Sequence, residues 1–211
     1  MGGNFRGHQT LNLFFKEYFY SKIIKMRKLK LQMHMTLDGF FNMEGGGKNF
    51  KWDSKVIKFC VDNLKDVDVL LLGRKTADEL IPFWDKVALN KKHPDYALGK
   101  RISELPKIVF SNSAKENKWQ NATLIKGNLK NEIQRLKKLK GKNMLAYGGV
   151  SFAAALIEHR LVDDFYFLKN PFCLGKGLSI FKEGKDVLTF KLEQSKPFPC
   201  GTIMLSYKRK K

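Results

Sequence analysis

Short apolar runs and longer amphipathic stretches alternate along most of this chain. Residues 29–35 read as a first strand, ended by Thr36-Leu-Asp-Gly39, which combines an acidic residue with a turn former. The stretch from Phe40 to Trp52, with Gly45-Gly-Gly47, reads as a glycine-rich loop of the kind that often serves as a lid. Asp53 or Ser54 can cap the next helix, whose Val56, Ile57, Cys60, Val61 and Leu64 fall on one face at the helical period. Residues 68–73 carry a continuous apolar run, the pattern of a strand covered on both faces of a largely parallel sheet. A helix is expected over 74–80, closed against the core by Phe83 and Trp84, then a polar helix-and-loop connection over 94–105. Strands are expected at 107–111 and 122–126, followed by a helix at 129–140 that turns Leu129, Ile133, Leu136 and Leu139 inward and stops at Gly141. A strand at 143–147, a helix at 151–160 and a strand at 162–168 complete a series of βαβ units. Beyond Pro171 the pattern changes to a glycine-rich turn and two β-like runs, 188–195 and 202–207, joined by Lys196-Pro-Phe-Pro-Cys-Gly201. This predicts an antiparallel hairpin at the end of a mixed, mostly parallel sheet in an α/β fold.

The first 25 residues hold an apolar cluster, Leu11 to Phe15 and Tyr18 to Tyr20, interrupted by Lys16 and Glu17. It is too short and too broken to span a membrane and lacks a small-residue cleavage site. Because Met26 directly precedes the first strand, residues 1–25 are expected to be an extension outside the fold, with 26–211 as the domain. The alternative is an amphipathic helix docked on the domain.

At 211 residues and 43% hydrophobic content the chain can bury one good-sized core. A formal charge of +20 would favour polyanions if the lysines were clustered, but they lie scattered between apolar positions, apart from Lys208-Arg-Lys-Lys211. A solvated surface is therefore preferred over nucleic-acid binding. Cys60, Cys173 and Cys200 are odd in number and far apart, which suits reduced thiols in a cytoplasmic protein. The four histidines show no zinc-site spacing, so no metal is expected.

Chemistry concentrates at strand ends. In residues 143–157 a strand, the pair Gly148-Gly149 and the start of a helix form a junction whose backbone N–H groups and positive dipole suit an anion. The run Leu70 to Thr76 repeats this with Gly73, Arg74 and Lys75, and the run Lys107 to Asn112 ends in Ser111 and Asn112. Three such ends suit one phosphate-bearing ligand lying across the carboxyl edge of a sheet.

In order and spacing, Thr36-Leu-Asp-Gly39, Gly73-Arg-Lys-Thr76, Phe110-Ser-Asn112, Gly148-Gly-Val-Ser151, Leu161-Val-Asp-Asp164, Gly175-x-Gly-x-x-x-Phe181 and Gly201 to Tyr207 resemble the dihydrofolate reductase superfamily. The branch matched is the reductase domain of the riboflavin-biosynthesis deaminase/reductase (RibD C-terminal-like) with its stand-alone relatives, over about Met26 to Lys208. The resemblance implies a three-layer fold with a sheet of about eight strands and NADPH along its carboxyl edge. Gly73, Arg74 and Thr76 would line the pyrophosphate and adenosine side, and Ser111 and Asn112 would sit by the adenosine 2′-phosphate, with Arg74 or Lys75 supplying charge. Gly148, Gly149, Val150, Ser151 and Phe152 would hold the pyrophosphate, at a Gly-Gly peptide that in this superfamily is often cis. Asp38 would face nicotinamide and substrate as the catalytic acidic residue, with Thr36 and Trp52 in the substrate site.

Two departures matter. The carboxylate that supports substrate protonation in dihydrofolate reductases falls at the apolar Ile57, and Asp53 is a poor substitute. The zinc-binding deaminase half is absent from this sequence. The resulting reading is an NADPH-dependent reductase of a small pyrimidine- or pterin-like substrate. Its alternatives are a non-catalytic nucleotide- or pterin-binding protein of the same fold, or a basic nucleic-acid-binding protein. Relatives are often dimers, so a homodimer belongs to the expectation.

Overall fold

The structure, a computed structural model, describes residues 26–41, 50–181 and 187–210. The expected extension 1–25 and the Gly45-Gly-Gly47 loop lie outside the described residues. Eight strands, β1 (Leu29–Met35), β2 (Val67–Gly73), β3 (Lys107–Phe110), β4 (Ala122–Ile125), β5 (Asn143–Tyr147), β6 (Asp164–Lys169), β7 (Phe190–Pro197) and β8 (Ile203–Arg209), form one sheet in the order β4-β3-β2-β5-β1-β6-β8-β7. Neighbours from β4 to β6 pair in parallel, and β6-β8 and β8-β7 pair antiparallel. The expected C-terminal hairpin is therefore present, with β8 inside and β7 at the edge.

Among the described residues five helices flank this sheet: α1 (Ser54–Asn63), α2 (Arg74–Leu89), α3 (Tyr96–Glu104), α4 (Leu129–Lys138) and α5 (Val150–Glu158). Asp53 starts α1 as its side chain accepts from the backbone N–H groups of Lys55 and Val56, both at 2.8 Å. On one face, Leu29, Leu31 and Met33 pack with Ile133 and Leu136 of α4 and Leu156 of α5. On the other, Val56 and Cys60 of α1 and Leu98 and Ile102 of α3 cover Leu70, Leu145 and Leu168. Among the described residues no helix is long and apolar enough to cross a membrane.

The second helix runs well past the expected end at residue 80, through Pro82 to Leu89. A proline inside a helix costs about 3 kcal/mol, but Ile81 and Val87 become buried and contribute roughly 1.5–3 kcal/mol each. The contact is close: a Cβ on Gly99 of α3 would lie 2.6 Å from Val87 Cγ1.

The central strand β1 departs from ordinary alternation. Its polar residues Lys30 and Gln32 are buried, not solvated, because α1 covers the face they occupy.

Candidate functional site

The connections from β1 to β2 and from β5 to β6 run in opposite directions along the sheet, leaving a crevice at the carboxyl ends of β1, β2 and β5. Two helices begin there. Gly148 and Gly149, with φ of +43° and +77°, turn the chain from β5 into α5, and Gly73 passes β2 into α2. A Cβ on Gly149 would lie 2.7 Å from Thr76 Oγ1, and one on Gly73 would lie 3.1 Å from Phe152 Cβ. The glycines thus let the first turns of α2 and α5 stand side by side. Neither helix start has a side-chain cap, so unpaired N–H groups and two positive dipole ends border one space.

That space is a cleft of about 660 Å³, lined from α2 by Arg74, Lys75 and Thr76 and from α5 by Gly149 through Phe152, with Ser111 and Ser113 at its far end. Phe41 and Leu178 close it from the two loops above. Arg74 donates to Asp78 at 3.2 Å, and Asp78 also holds Lys118 at 2.8 Å and the Trp119 indole N–H at 3.1 Å. Arg74, Lys115 and Lys118 therefore share a second hollow of about 440 Å³ beyond Ser113. The cradle fits a pyrophosphate-bearing dinucleotide, with the cations at the end away from the sheet centre.

Across Thr76 and Gly149 lies an apolar cavity of about 240 Å³. His34 lines it, 4.8 Å from the Phe50 ring and 4.6 Å from the Trp52 ring. Burial holds the His34 pKa down to about 3, so the imidazole is neutral. Its tautomer follows from Asn170. That amide donates to the Leu168 and Met35 carbonyls at 2.8 and 3.2 Å, while its oxygen accepts from Lys51 N and the Thr202 hydroxyl. The NH2 group of Asn170 lies 3.4 Å from His34 Nδ1, a neighbour that favours the tautomer with the proton on Nε2. Among the described residues the buried His34 Nε2 has no hydrogen-bond partner, and the buried Tyr147 hydroxyl has only the Gln32 side chain close enough to act on it. Burial pushes the Tyr147 phenol well up, so it stays protonated.

Neutral burial of His34 makes stability depend on pH. The unfolded chain takes up a proton near pH 6.5, whereas the folded one does so only near 3. Between these values the unfolded state holds more protons, so stability falls as pH is lowered. Going from pH 7.5 to 5.0 should cost about 1–2 kcal/mol, seen as a lower urea midpoint. His34→Gln should remove that part of the fall, because the carboxylates held low in the folded state, with unfolded values of 3.8 for aspartate and 4.5 for glutamate, are still mostly ionised at pH 5.0.

Of the residues expected in the site, Gly73, Arg74, Lys75, Thr76, Ser111, Gly149, Val150, Ser151 and Phe152 line the cleft, and Gly148 and Trp52 line the apolar cavity. Three are placed elsewhere. Asp38 is exposed and lines neither space; its carboxylate accepts from Thr36 Oγ1 at 2.5 Å and from the backbone N–H groups of Leu174 and Gly175 at 3.0 and 2.7 Å. The Thr36 hydroxyl, then those N–H groups, hold its pKa below the usual carboxylate range, which suits a latch between two loops better than a proton donor. Thr36 is fully buried in the same turn, where its hydroxyl accepts from Phe40 N. The Asn112 side chain accepts from Gly127 N at 2.7 Å and ties the end of β3 to that of β4. No cis peptide occurs among the described residues, so the Gly148-Gly149 peptide is trans.

Gln32, His34, Tyr147, Ser113 and Lys118 were not legible as site residues. The signal for the first two was the polar alternation Lys30, Gln32, His34 on a strand that the βαβ pattern already placed in a parallel sheet.

This architecture is that of the dihydrofolate reductase-like proteins: a mostly parallel eight-stranded sheet between helices, with an antiparallel C-terminal pair. The chain belongs to the RibD C-terminal domain family, whose model matches residues 27–204. It is 31% identical over 186 residues to the uncharacterized protein YyaP of Bacillus subtilis (strain 168), covering 87% of this chain and 96% of that protein. A putative riboflavin biosynthesis protein from Shewanella sp. PV-4 superposes with a TM-score of 0.68 at 24% identity, over 87% of this chain and 99% of that one. Dihydrofolate reductase from Enterococcus faecalis, solved in complex with NADP(H) and RAB-propyl, superposes with a TM-score of 0.56 at 16% identity, over 87% and 97%.

Proposed function

We propose that this chain is an NADPH-dependent reductase of a small heterocyclic substrate. The observation that carries the reading is the convergence of two uncapped helix starts on one cleft that shares Thr76 and Gly149 with an aromatic cavity. The backbone N–H groups of Gly149 to Ser151 and of Arg74 to Thr76 would hold the pyrophosphate. Arg74, Lys75, Lys118, Ser111 and Ser113 would take the adenosine end and its extra phosphate. When bound, the nicotinamide supplies a hydride; the protein's part is to seat the acceptor in the adjoining cavity and exclude water. His34 Nε2–H and the Tyr147 O–H suit polarisation of an acceptor atom there. With a pKa near 3, the imidazole serves as a hydrogen-bond donor, and the proton for the product comes from solvent. A homodimer and a cytoplasmic location belong to the same reading.

Replacing Arg74 and Lys75 together by alanine should erode the preference for NADPH over NADH by roughly 1–3 kcal/mol. Titration of both nucleotides into the parent and the variant measures this. Equal affinity of the parent for the two would sink the assignment.

One observation favours a second reading, ligand binding without turnover: among the described residues lining the aromatic cavity there is no carboxylic acid. NADPH oxidation on addition of a substrate separates the two.

A further inference from the structure

A row of buried polar side chains runs from the amino end of β1 to the aromatic cavity, and each link in it has a fixed direction. Lys30 Nζ donates to the Asn63 carbonyl and to Asn63 Oδ1, each at 3.1 Å, and to Asp66 at 2.5 Å, with the Tyr166 ring 5.6 Å away. An ammonium can only donate, so Asn63 presents its oxygen to Lys30 and its NH2 group onward. That group donates to Gln32 Oε1 at 2.7 Å, which leaves Gln32 its own NH2 to offer further along. One of these N–H groups goes to Cys60 Sγ at 3.3 Å. The other serves Tyr147, which lies opposite Gln32 in register on β5 and whose phenol Gln32 engages. A phenol oxygen that accepts from Gln32 must turn its hydrogen elsewhere. No acceptor for it is found among the described residues, and Gln32, Cys60 and Tyr147 all line the cavity.

We propose that this directed row makes Tyr147 a catalytic hydrogen-bond donor, with Lys30, Asn63 and Gln32 as the positioning residues that keep its O–H aimed into the cavity. The inference rests on the reductase reading for what the donor does. Hydride transfer leaves negative charge on the acceptor, and a donor already oriented in a dry space stabilises that charge better than water, which must reorganise. Burial holds the Tyr147 pKa well up, so the phenol keeps its proton throughout, and the proton that completes the product still comes from solvent. Each donor polarises the next, so the ammonium at one end strengthens the O–H at the other. Without Asn63, Gln32 is free to turn over and accept the Tyr147 hydrogen, and the donor is spent on an internal bond.

Replacing Tyr147 by 3,5-difluorotyrosine brings ionisation of the phenol into a measurable range, read by 19F NMR on the full chain with neither nucleotide nor substrate. A hydrogen bond donated to the phenolate lowers its pKa, so Gln32→Leu should move it up by about one pH unit. Asn63→Leu should do the same by about one pH unit, although it acts one link away and leaves the charge of Lys30 in place. Lys30→Met should raise it by about half a pH unit, and Lys28→Met, which removes a cation outside the row, by less than about 0.2. If Asn63→Leu does not fold, Asn63→Ala tests the same link. A pKa unmoved by Gln32→Leu would overturn the proposal, as would one moved by Lys30→Met but not by the Asn63 variants, which marks a field acting through space. On a substrate that supports NADPH oxidation, Tyr147→Phe should lower kcat about a hundredfold and change KM by less than about threefold. An unchanged kcat would overturn the catalytic role. Failure of NADPH to bind while the pKa values shift as expected would instead overturn the reductase reading, and the directed row would stand without its catalytic role.

Discussion

Gly149→Val should abolish NADPH binding, with a loss of at least a hundredfold in affinity while most secondary structure survives. Two effects combine. The residue sits at φ +77°, a conformation that a β-branched side chain adopts only with a strain of about 1–3 kcal/mol. The new Cβ would also meet Thr76 Oγ1 at 2.7 Å, pushing the starts of α5 and α2 apart. Their N–H groups would then no longer converge on one anion, and a valine side chain would occupy the wall where backbone must approach the ligand. Fluorescence titration with NADPH, alongside far-UV circular dichroism, reads both parts. Retention of the parent's affinity in a folded variant would mean that the nucleotide lies elsewhere.

Asn170→Leu should be the most destabilising substitution in the region, at about 3–5 kcal/mol by urea denaturation. The residue is fully buried between β6 and the following loop. Its amide serves the Leu168 and Met35 carbonyls, Lys51 N and the Thr202 hydroxyl at once, with His34 beside it. Leucine preserves the bulk and leaves those groups without it, each unsatisfied polar group costing about 1–3 kcal/mol. The fall in stability with acid should not steepen, since burial, the cause of the lowered His34 pKa, is kept by leucine. A fall below 1 kcal/mol would show that water or rearranged loops replace the amide.

Much of this was legible in the sequence because the physics was local. The apolar run before Gly73, the glycine pair before Val150 and the hydroxyl after Phe110 announce strand ends whose backbone must turn into helix or loop, and these do line one cleft. The resemblance supplied the number of strands and the mixed character of the sheet, not their order. What escaped was set by long-range contacts. Asp38 looks like an acid at the mouth of a strand, yet Leu174 and Gly175, far along the chain, supply the N–H groups that engage it. Pro82 is locally a stop signal, overridden because α3 buries Ile81 and Val87. The row Lys30, Gln32, His34 resembles a wetted strand face until α1 is known to cover it, and only then does the amide of Asn63 become an orienting group.

Phe41, Thr76 and Gly149 belong to the walls of both the cleft and the aromatic cavity, so neither space can be filled without acting on the other. Linkage makes that action reciprocal: whatever factor a nucleotide imposes on the affinity for the second ligand, the second ligand imposes on the nucleotide. A side chain at this shared wall therefore cannot be altered for one ligand alone. Reshaping the apolar cavity through any of these three residues is also a change to the cleft.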